Sequence, residues 1–359
     1  MAAAAFFLMS IFIHFPLNNS PMYYSDIVDT FWYGRAPQGG PPFVVTGIPY
    51  VTYFFEYPPI SGLILWLGGW ASSGNVMVFA AVEFGSLLGF FLLMTHFTYL
   101  FLDKLGLSYT RVMLFSIFAP SILFYGAYNY DLVQTFFVVA SLYFFIAKPK
   151  YNASAIFLGL SVATKLSPAF LLPLFWQELD GNYKRVRYTV IASVTVVLAN
   201  LPFILANYSL WLQSYQYLAG WGLEDSFFVW IFPNDSTWPI AKDLGLALIL
   251  ISSLAIYIFL RTKPLLTRAL LITGVFILFS YIATPQLNID ILPLLALVPV
   301  VPLSLFYLFE FTDVLIILTW FVFPNPTHPG LTQTFALLRQ IYLAFILGLA
   351  ALSKFKFRA

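Results

Sequence analysis

Residues 153–176 read Ala-Ser-Ala-Ile-Phe-Leu-Gly-Leu-Ser-Val-Ala-Thr-Lys-Leu-Ser-Pro-Ala-Phe-Leu-Leu-Pro-Leu-Phe-Trp, and the way this stretch is threaded decides the fold. It is long enough to cross a bilayer, since about 20 helical residues cover ~30 Å of hydrocarbon. Lys165, Ser167 and Pro168 interrupt it, however. An ammonium at the middle of a span costs about 2.5–3.5 kcal/mol on insertion scales, and proline removes a helical hydrogen bond. The stretch therefore reads as a hairpin of two half-helices. A second segment, Ile60–Trp70, is too short to cross at ~1.5 Å rise per residue and reads as interfacial or re-entrant.

Outward from these two, long apolar runs occupy about 2–16, 76–102, 111–127, 131–147, 188–206, 243–262, 266–283, 290–309, 313–324 and 332–352. Of 359 residues, 61% are hydrophobic, 20% aromatic and 9% charged, against about 25% charged in a soluble domain. Mean hydropathy is +0.87. Backbone groups in lipid must find partners within their own segment, which favours helices over strands. The expected fold is all-α: a polytopic transmembrane helical bundle with short interfacial and re-entrant helices. This composition excludes a soluble enzyme, a disordered tail and a basic nucleic-acid binder, so no nucleic acid is expected as a partner. Zero Cys excludes disulfides and thiolate chemistry, and His14, His96 and His328 are too scattered for a histidine-rich metal cluster.

Charge placement supports this threading. With the hairpin and the short re-entrant segment, one side of the membrane receives Lys104, Arg111, Lys148, Lys150, Lys184, Arg185, Arg187, Arg261, Lys263, Arg268, Lys354, Lys356 and Arg358, which is 13 of 17 basic residues. Arg35 and Lys242 fall on the other side, and Lys165 and Arg339 within the membrane. Two full spans would split the exposed basic residues 9 against 6, a poorer fit to the excess of Lys and Arg in cytoplasmic loops. The acids run the other way: Asp26, Asp29, Glu56, Asp131, Glu224, Asp225, Asp235, Asp243 and Asp290 are nine of fifteen, all on the outer side. Acids contribute little to orientation, so their gathering points to chemistry. The chain divides into a first transmembrane module, 1–206, whose outer loop 17–59 bears the candidate site, and a second, 207–359, with outer loop 207–241. Residues Ala2–Phe15 lack the basic start and cleavage pattern of a signal peptide and read as a retained helix. Trp32, Trp211, Trp221, Trp230 and Trp238 fit interfacial helices at headgroup level.

The first loop carries Tyr24-Ser25-Asp26-Ile27-Val28-Asp29, then Gly34-Arg35-Ala36-Pro37, then Glu56-Tyr57-Pro58-Pro59. Carboxylates beside a membrane helix can deprotonate a hydroxyl or hold a divalent cation. Asp26 and Asp29, three apart, would share one helix face; alternatively Asp26 caps a short helix and Asp29 faces water. A second group is Gly126-Ala127-Tyr128-Asn129-Tyr130-Asp131, where Asp131 is an N-cap, a substrate contact or both. The third is Ala163-Thr164-Lys165-Leu166-Ser167-Pro168, where an ammonium and freed backbone amides could surround a phosphate. Arg339, inside the last span, suits a lipid phosphate or a pairing with Glu83. His14 reads as interfacial, His96 as a satisfied bundle histidine and His328 as a turn residue. Asn207-Tyr208-Ser209 and Asn234-Asp235-Ser236 match the glycosylation acceptor pattern.

In this order, Tyr24-Ser25-Asp26-Ile27, Gly34-Arg35 with Pro37, Tyr57-Pro58-Pro59, Gly126, Asn129 and Asp131, and Lys165 with Pro168 resemble the GT-C superfamily of integral membrane glycosyltransferases. Within it the likeness is to the catalytic subunit of GPI mannosyltransferase I and related bacterial and archaeal polyprenyl-phosphomannose-dependent enzymes. It covers about 150 residues; from Asn207 onward only the pattern of spans matches. The resemblance implies a GT-C-like bundle and an inverting transfer of a sugar, mannose foremost. The donor would be a dolichyl- or polyprenyl-phosphate sugar entering from membrane lipid, and the acceptor a hydroxyl of a glycan or glycolipid. It implies Asp26 as general base and Asp29, Arg35, Glu56, Tyr57, Asn129 and Asp131 in contact with substrate. Lys165 and Arg339 would stand where the phosphate departs. The family's acid-x-acid pair is altered here, with Val28 between and the second acid at Asp29. That leaves Asp26 as the base, requires no cofactor and leaves a divalent cation open. The expected location is an integral membrane, plasma membrane in a prokaryote or endoplasmic reticulum in a eukaryote, with the site on the exoplasmic side. The competing expectations are a non-catalytic subunit and a secondary transporter of a lipid-linked or small polar substrate. A transporter would show interrupted helices in both halves, whereas the interrupted segment has no counterpart expected in the second half.

Overall fold

The computed structural model describes residues 2–16, 24–34, 42–323 and 325–354. Among them the regular elements are helical, and only the isolated bridges Pro49–Tyr53 and Glu224–Ile282 resemble strand pairing. The protein is an all-α polytopic bundle. Among the described residues five helices are long and apolar enough to cross a membrane: Val76–Leu105, Asn182–Gly220, Asp235–Phe259, Leu303–Trp320 and Leu331–Leu352. Large side chains point out of these helices, with Leu205 76% and Phe259 79% exposed. Apolar surface on this scale is what lipid contact calls for and what water would penalise.

Two compact units interleave along the chain. The first comprises Met1–Met94, Leu123–Leu166 and Val186–Trp221; the second comprises Thr95–Ile122, Ser167–Arg185 and Gly222–Ala359. Residue 206 lies inside a helix, and the last boundary between the units falls at 221/222.

The first unit contains α1 (Ala2–His14), α2 (Asp26–Tyr33), α3 (Pro59–Ser72), the first part of α4 (Val76–Leu105), α5 (Asp131–Ile146), α6 (Tyr151–Val162) and most of α7 (Asn182–Gly220). At 14 residues α3 is about 21 Å long, short of a span. Its inner face is lined with small residues, Ser61, Gly62, Gly68, Gly69 and Ser72. Close approach explains them: a Cβ on Gly69 would lie 1.8 Å from the Val44 carbonyl oxygen, and one on Gly62 2.3 Å from the Tyr50 hydroxyl. α5 and α6 form a tight helical pair. The Ser141 hydroxyl donates to the Ser154 carbonyl at 2.9 Å, and the Ser154 and Tyr188 hydroxyls bond at 2.9 Å. α6 stops at Val162 and the chain is non-helical from Ala163 to Leu166, so Lys165 sits in an interruption as expected.

Several details depart from expectation. α7 runs past 206, kinks at Asn207 (φ −157°, ψ 87°) and resumes to Gly220. The Asn207 side chain restarts it, accepting from Leu210 N–H at 3.2 Å and donating to the Val51 carbonyl at 3.1 Å. This is a cap rather than an open glycosylation acceptor. Trp32 is 4% exposed and packs on Phe79 at 4.8 Å, so it is a core residue and not an interfacial anchor. His14 is buried, its Nε2 bonded to the Phe124 carbonyl at 2.8 Å, while His96 is exposed.

The second unit contains α8 (Trp238–Phe259), α9 (Leu265–Phe279), α10 (Leu303–Trp320) and α11 (Leu331–Leu352). The runs expected at 290–309 and 313–324 are divided differently. A 3-10 stretch, Pro285–Ile291, leads into Leu292–Leu297, and α10 starts after Pro302, whose ring cannot continue a preceding helix. The second half therefore also carries an interrupted apolar segment, between Phe279 and Pro285. α10 and α11 pack along their lengths.

Candidate functional site

All parts of the candidate site belong to the first unit. It starts with the turn that opens α2. Ser25 is extended (φ −136°, ψ 144°), and its hydroxyl accepts from Val28 N–H at 3.2 Å. In return, Asp29 Oδ2 accepts from Ser25 N–H at 2.7 Å. This is the reciprocal logic of a capping box, with the acid four residues beyond the cap. The turn closes as a π-helix, Gly34 N–H donating to the Asp29 carbonyl at 2.8 Å. Ser25, not Asp26, is the cap, and Asp29 is drawn back onto the backbone instead of facing water.

The Asp26 carboxylate is thereby left for other work. Its Oδ1 accepts from the Tyr24 hydroxyl at 3.0 Å, and its Oδ2 from Asn129 Nδ2 at 2.7 Å. Asn129 stands just before α5 and is 1% exposed. Its Oδ1 accepts from Tyr130 N–H at 2.6 Å, which fixes the amide so that Nδ2 faces both Asp26 and the Tyr57 hydroxyl, the latter at 2.5 Å. An amide nitrogen has two hydrogens, and both are used. Tyr57 thus accepts from Asn129 and keeps its own hydroxyl proton to donate.

Lys165 approaches Tyr57 from another direction. Its ammonium lies 5.8 Å from the centre of the Tyr57 ring, within cation–π range, and forms an ion pair with Asp131 Oδ1. The Lys165 side chain is 14% exposed and that of Asp131 is fully buried. Asp131 is the first residue of α5 and does not cap it, since Tyr130 occupies that position. Asp131 Oδ2 has no hydrogen-bond partner among the described residues. Two contacts bind the start of α3 to the segment that carries Lys165: Ile60 N–H donates to the Ala163 carbonyl at 3.0 Å, and the Ser61 hydroxyl donates to the Thr164 carbonyl at 3.4 Å. Asp26, Asn129, Tyr57, Lys165 and Asp131 therefore form one connected polar line drawn from three separate stretches of sequence.

Aromatic packing holds this line in place. Phe31 stacks on Tyr130 at 6.2 Å with 5° between planes, and meets Phe55 edge-on at 5.1 Å. Tyr57 packs against Phe31, Phe55 and Tyr130 at 6.1, 5.6 and 6.3 Å. Behind Tyr130, its hydroxyl donates to Glu83 Oε2 at 2.9 Å. Glu83 is fully buried and abuts Gly68, where a Cβ would lie 2.1 Å from Oε1. Glu83, Tyr130 and Tyr24 are supports, a role the sequence reading did not give them. The small residues of α3 were the available signal, because a glycine-lined helix face must approach something closely.

Burial raises the Asp29 carboxyl above the usual range, opposed by the Ser25 N–H bond. Burial, reinforced by the Asp26 charge, also raises Tyr24 well above ordinary tyrosine. Tyr57 rises for the same reasons, with Glu56 and Asp131 adding to Asp26. Both tyrosines therefore stay protonated, as hydrogen-bond donors and not bases. Glu56 is partly buried beside Tyr57 and contributes charge there. Arg35 lies outside the described residues.

Arg339 belongs to the second unit and is fully buried. Its Nη1 donates to Asp313 Oδ1 at 3.0 Å, and its Nη2 donates to the Asp225 carbonyl at 2.9 Å and to that of Ala283. Its expected partner Glu83 is bonded to Tyr130 instead. Both Nη atoms are taken up by the protein itself and the guanidinium is fully buried, which leaves Lys165 as the candidate for a donor phosphate.

As a metal site the first-loop acids fit poorly. Asp29 Oδ2 is taken by Ser25, and both Asp26 oxygens already accept from neutral donors. Among the described residues no group of three His, Asp or Glu has metal-holding geometry. Compared with known proteins, the chain matches no family model and no curated protein.

Proposed function

We propose that the chain is an inverting glycosyltransferase that moves a sugar, mannose foremost, from a dolichyl- or polyprenyl-phosphate donor to a hydroxyl of a glycan or glycolipid. The reaction would take place at the exoplasmic surface of a plasma or endoplasmic reticulum membrane. Asp26 takes the proton of the acceptor hydroxyl. The hydroxyl oxygen forms a bond to the sugar's anomeric carbon while the bond from that carbon to the phosphate oxygen breaks. The electron pair leaves with the lipid phosphate, which Lys165 stabilises as its charge grows. Asn129 fixes the lone pair that Asp26 presents, and the Tyr57 hydroxyl stands between base and cation as a donor toward substrate oxygens.

The observation that carries this reading is the polar line itself: a partly exposed carboxylate with both oxygens oriented by neutral donors, joined through Asn129 and Tyr57 to a partly exposed ammonium. A base and a cation set apart by a fixed bridge suit a displacement in which a proton leaves on one side and a phosphate on the other. Because Asp131 holds one of the three ammonium donors, the phosphate would take the others.

The test is sugar transfer from synthetic polyprenyl-phosphate mannose into membrane extracts by the purified protein. Asp26→Asn keeps the shape and removes the base, and should lower the rate by about 10²–10⁴-fold with the melting temperature unchanged. Transfer that survives Asp26→Asn contradicts the assignment. A second reading, a transporter of a lipid-linked or small polar substrate, draws support from the second interrupted segment between Phe279 and Pro285. Uptake without any transferred product would favour it.

A further inference from the structure

The second unit encloses a polar cluster that the transferase reading does not use. Glu310 and Asp313 lie three residues apart on α10, hence on one face, and both are fully buried, as are Ser121, Asn288 and Arg339. Arg339 pairs with Asp313 Oδ1 at 3.0 Å. The Ser121 N–H and hydroxyl both reach Glu310 Oε2, at 2.9 and 2.6 Å, and the same hydroxyl stands 3.3 Å from Asp313 Oδ2.

Two counts then fail unless a proton is present. A hydroxyl has one hydrogen, yet this one lies between two carboxyl oxygens, so it can donate to only one of them. Charge does not balance either: one guanidinium neutralises one carboxylate, and a second ionised carboxylate inside a membrane-spanning helix costs several kcal/mol. An independent observation points to the same place. Among the described residues, Glu310 Oε1 and both amide atoms of the buried Asn288 lack a partner at hydrogen-bond geometry. Asp313 and Tyr307 on its own helix and Ser121 from Pro120–Tyr125 act on Glu310, Arg339 from α11 pairs with Asp313, and Asn288 and Asp290 are buried in the stretch Pro285–Ile291. Asp225 enters through its carbonyl, bonded to Arg339, and its buried carboxyl feels the charge of the same guanidinium.

We propose that Glu310, Asp313 and Ser121 form a proton-binding site within the second unit. The proton resides on Glu310, Asp313 stays ionised as the partner of Arg339, and Ser121 joins the two acids. On binding, the Glu310 carboxylate gains one proton, and the net charge of Glu310, Asp313 and Arg339 goes from −1 to 0. The ligand proposed is a proton, which the paired acids call for; among the described residues no group of three His, Cys, Asp or Glu could hold a metal ion. The inference stands whether or not the first unit transfers sugars.

Infrared difference spectra of the full-length protein in detergent, recorded between acidic and alkaline buffer, test it. The wild type should show the carbonyl stretch of a protonated carboxylic acid, and Glu310→Gln should lose it. Asp313→Asn should also lose it, because Arg339 then needs Glu310 as its anion. Ser121→Ala, which keeps both acids, should retain the band at a shifted frequency, so the result stands even if Glu310→Gln folds poorly. A wild type without the band, or a Glu310→Gln spectrum whose carboxylic-acid carbonyl intensity equals the wild type's, overturns the proposal. A band suppressed by sodium at constant pH overturns the proton as the ligand.

Discussion

The two polar groups of this protein contain similar residues in different settings. In the first unit, the Asp26 carboxylate and the Lys165 ammonium both keep some exposure, and neutral donors fill the space between them. In the second unit, Arg339, Asp313 and Glu310 are fully buried and spend most of their hydrogen bonds on one another or on backbone carbonyls. A charge that must meet a substrate has to stay reachable. A charge sealed among helices can fix the fold or carry a proton, and it cannot bind a lipid headgroup. Residue type and depth in a span do not separate these roles, and exposure does.

The comparison breaks most clearly at Arg339. Arg339→Met strands Asp313 inside α10 and should destabilise the protein by about 3–5 kcal/mol, the cost of leaving one partner of a buried pair alone. Denaturation of the detergent-solubilised protein measures this, and a stability change near zero would mean the second cluster is not sealed. Asp225, outside the spans, sharpens the same contrast through pH. Burial pushes its carboxyl up to about 7, against the lowering pull of Arg339. The folded state therefore binds the proton more tightly than the unfolded chain, whose value is near 3.8. Stability should be highest below pH ~4 and should fall as pH rises toward 7. Thermal midpoints across that range should show this slope, and Asp225→Asn should flatten it. The smallest effect belongs to the open site. Ser25→Ala removes the cap of α2 at a cost of about 0.5–2 kcal/mol, and it should lower transfer more than stability, because Asp26 is the first residue of that helix. A melting shift with unchanged transfer would separate the cap from the site.

Much of this was legible in the sequence. Composition and run length dictated helices, and the Lys-Leu-Ser-Pro break in 163–168 marked the interruption that holds Lys165. Asp131 and Lys165 were readable as candidates from the helix start and the break where they stand, whereas Tyr57 and Asn129 came forward only through the family resemblance. Their connection was not readable, since the Asn129–Asp26 bond joins residues 103 apart in the chain. The box formed by Ser25 and Asp29 was missed because the acid falls one residue beyond the usual spacing. Glu310 falls in the gap left between the runs 290–309 and 313–324, and Asp313 at the start of the second, although one helix, Leu303–Trp320, carries both; their partners Ser121 and Arg339 come from other elements. Trp32 looked like an interfacial anchor because an aromatic residue in a loop does not declare which way it faces.

A double-mutant cycle on transfer rate puts the central claim, that Asp26 and Lys165 serve one reaction, to its most direct test. Asp26→Asn and Lys165→Met should each lower kcat/KM by about 10²-fold or more, and the double variant should fall little below the worse single one, as residues acting as a unit do. Losses that multiply, as at distant independent sites, would contradict the claim.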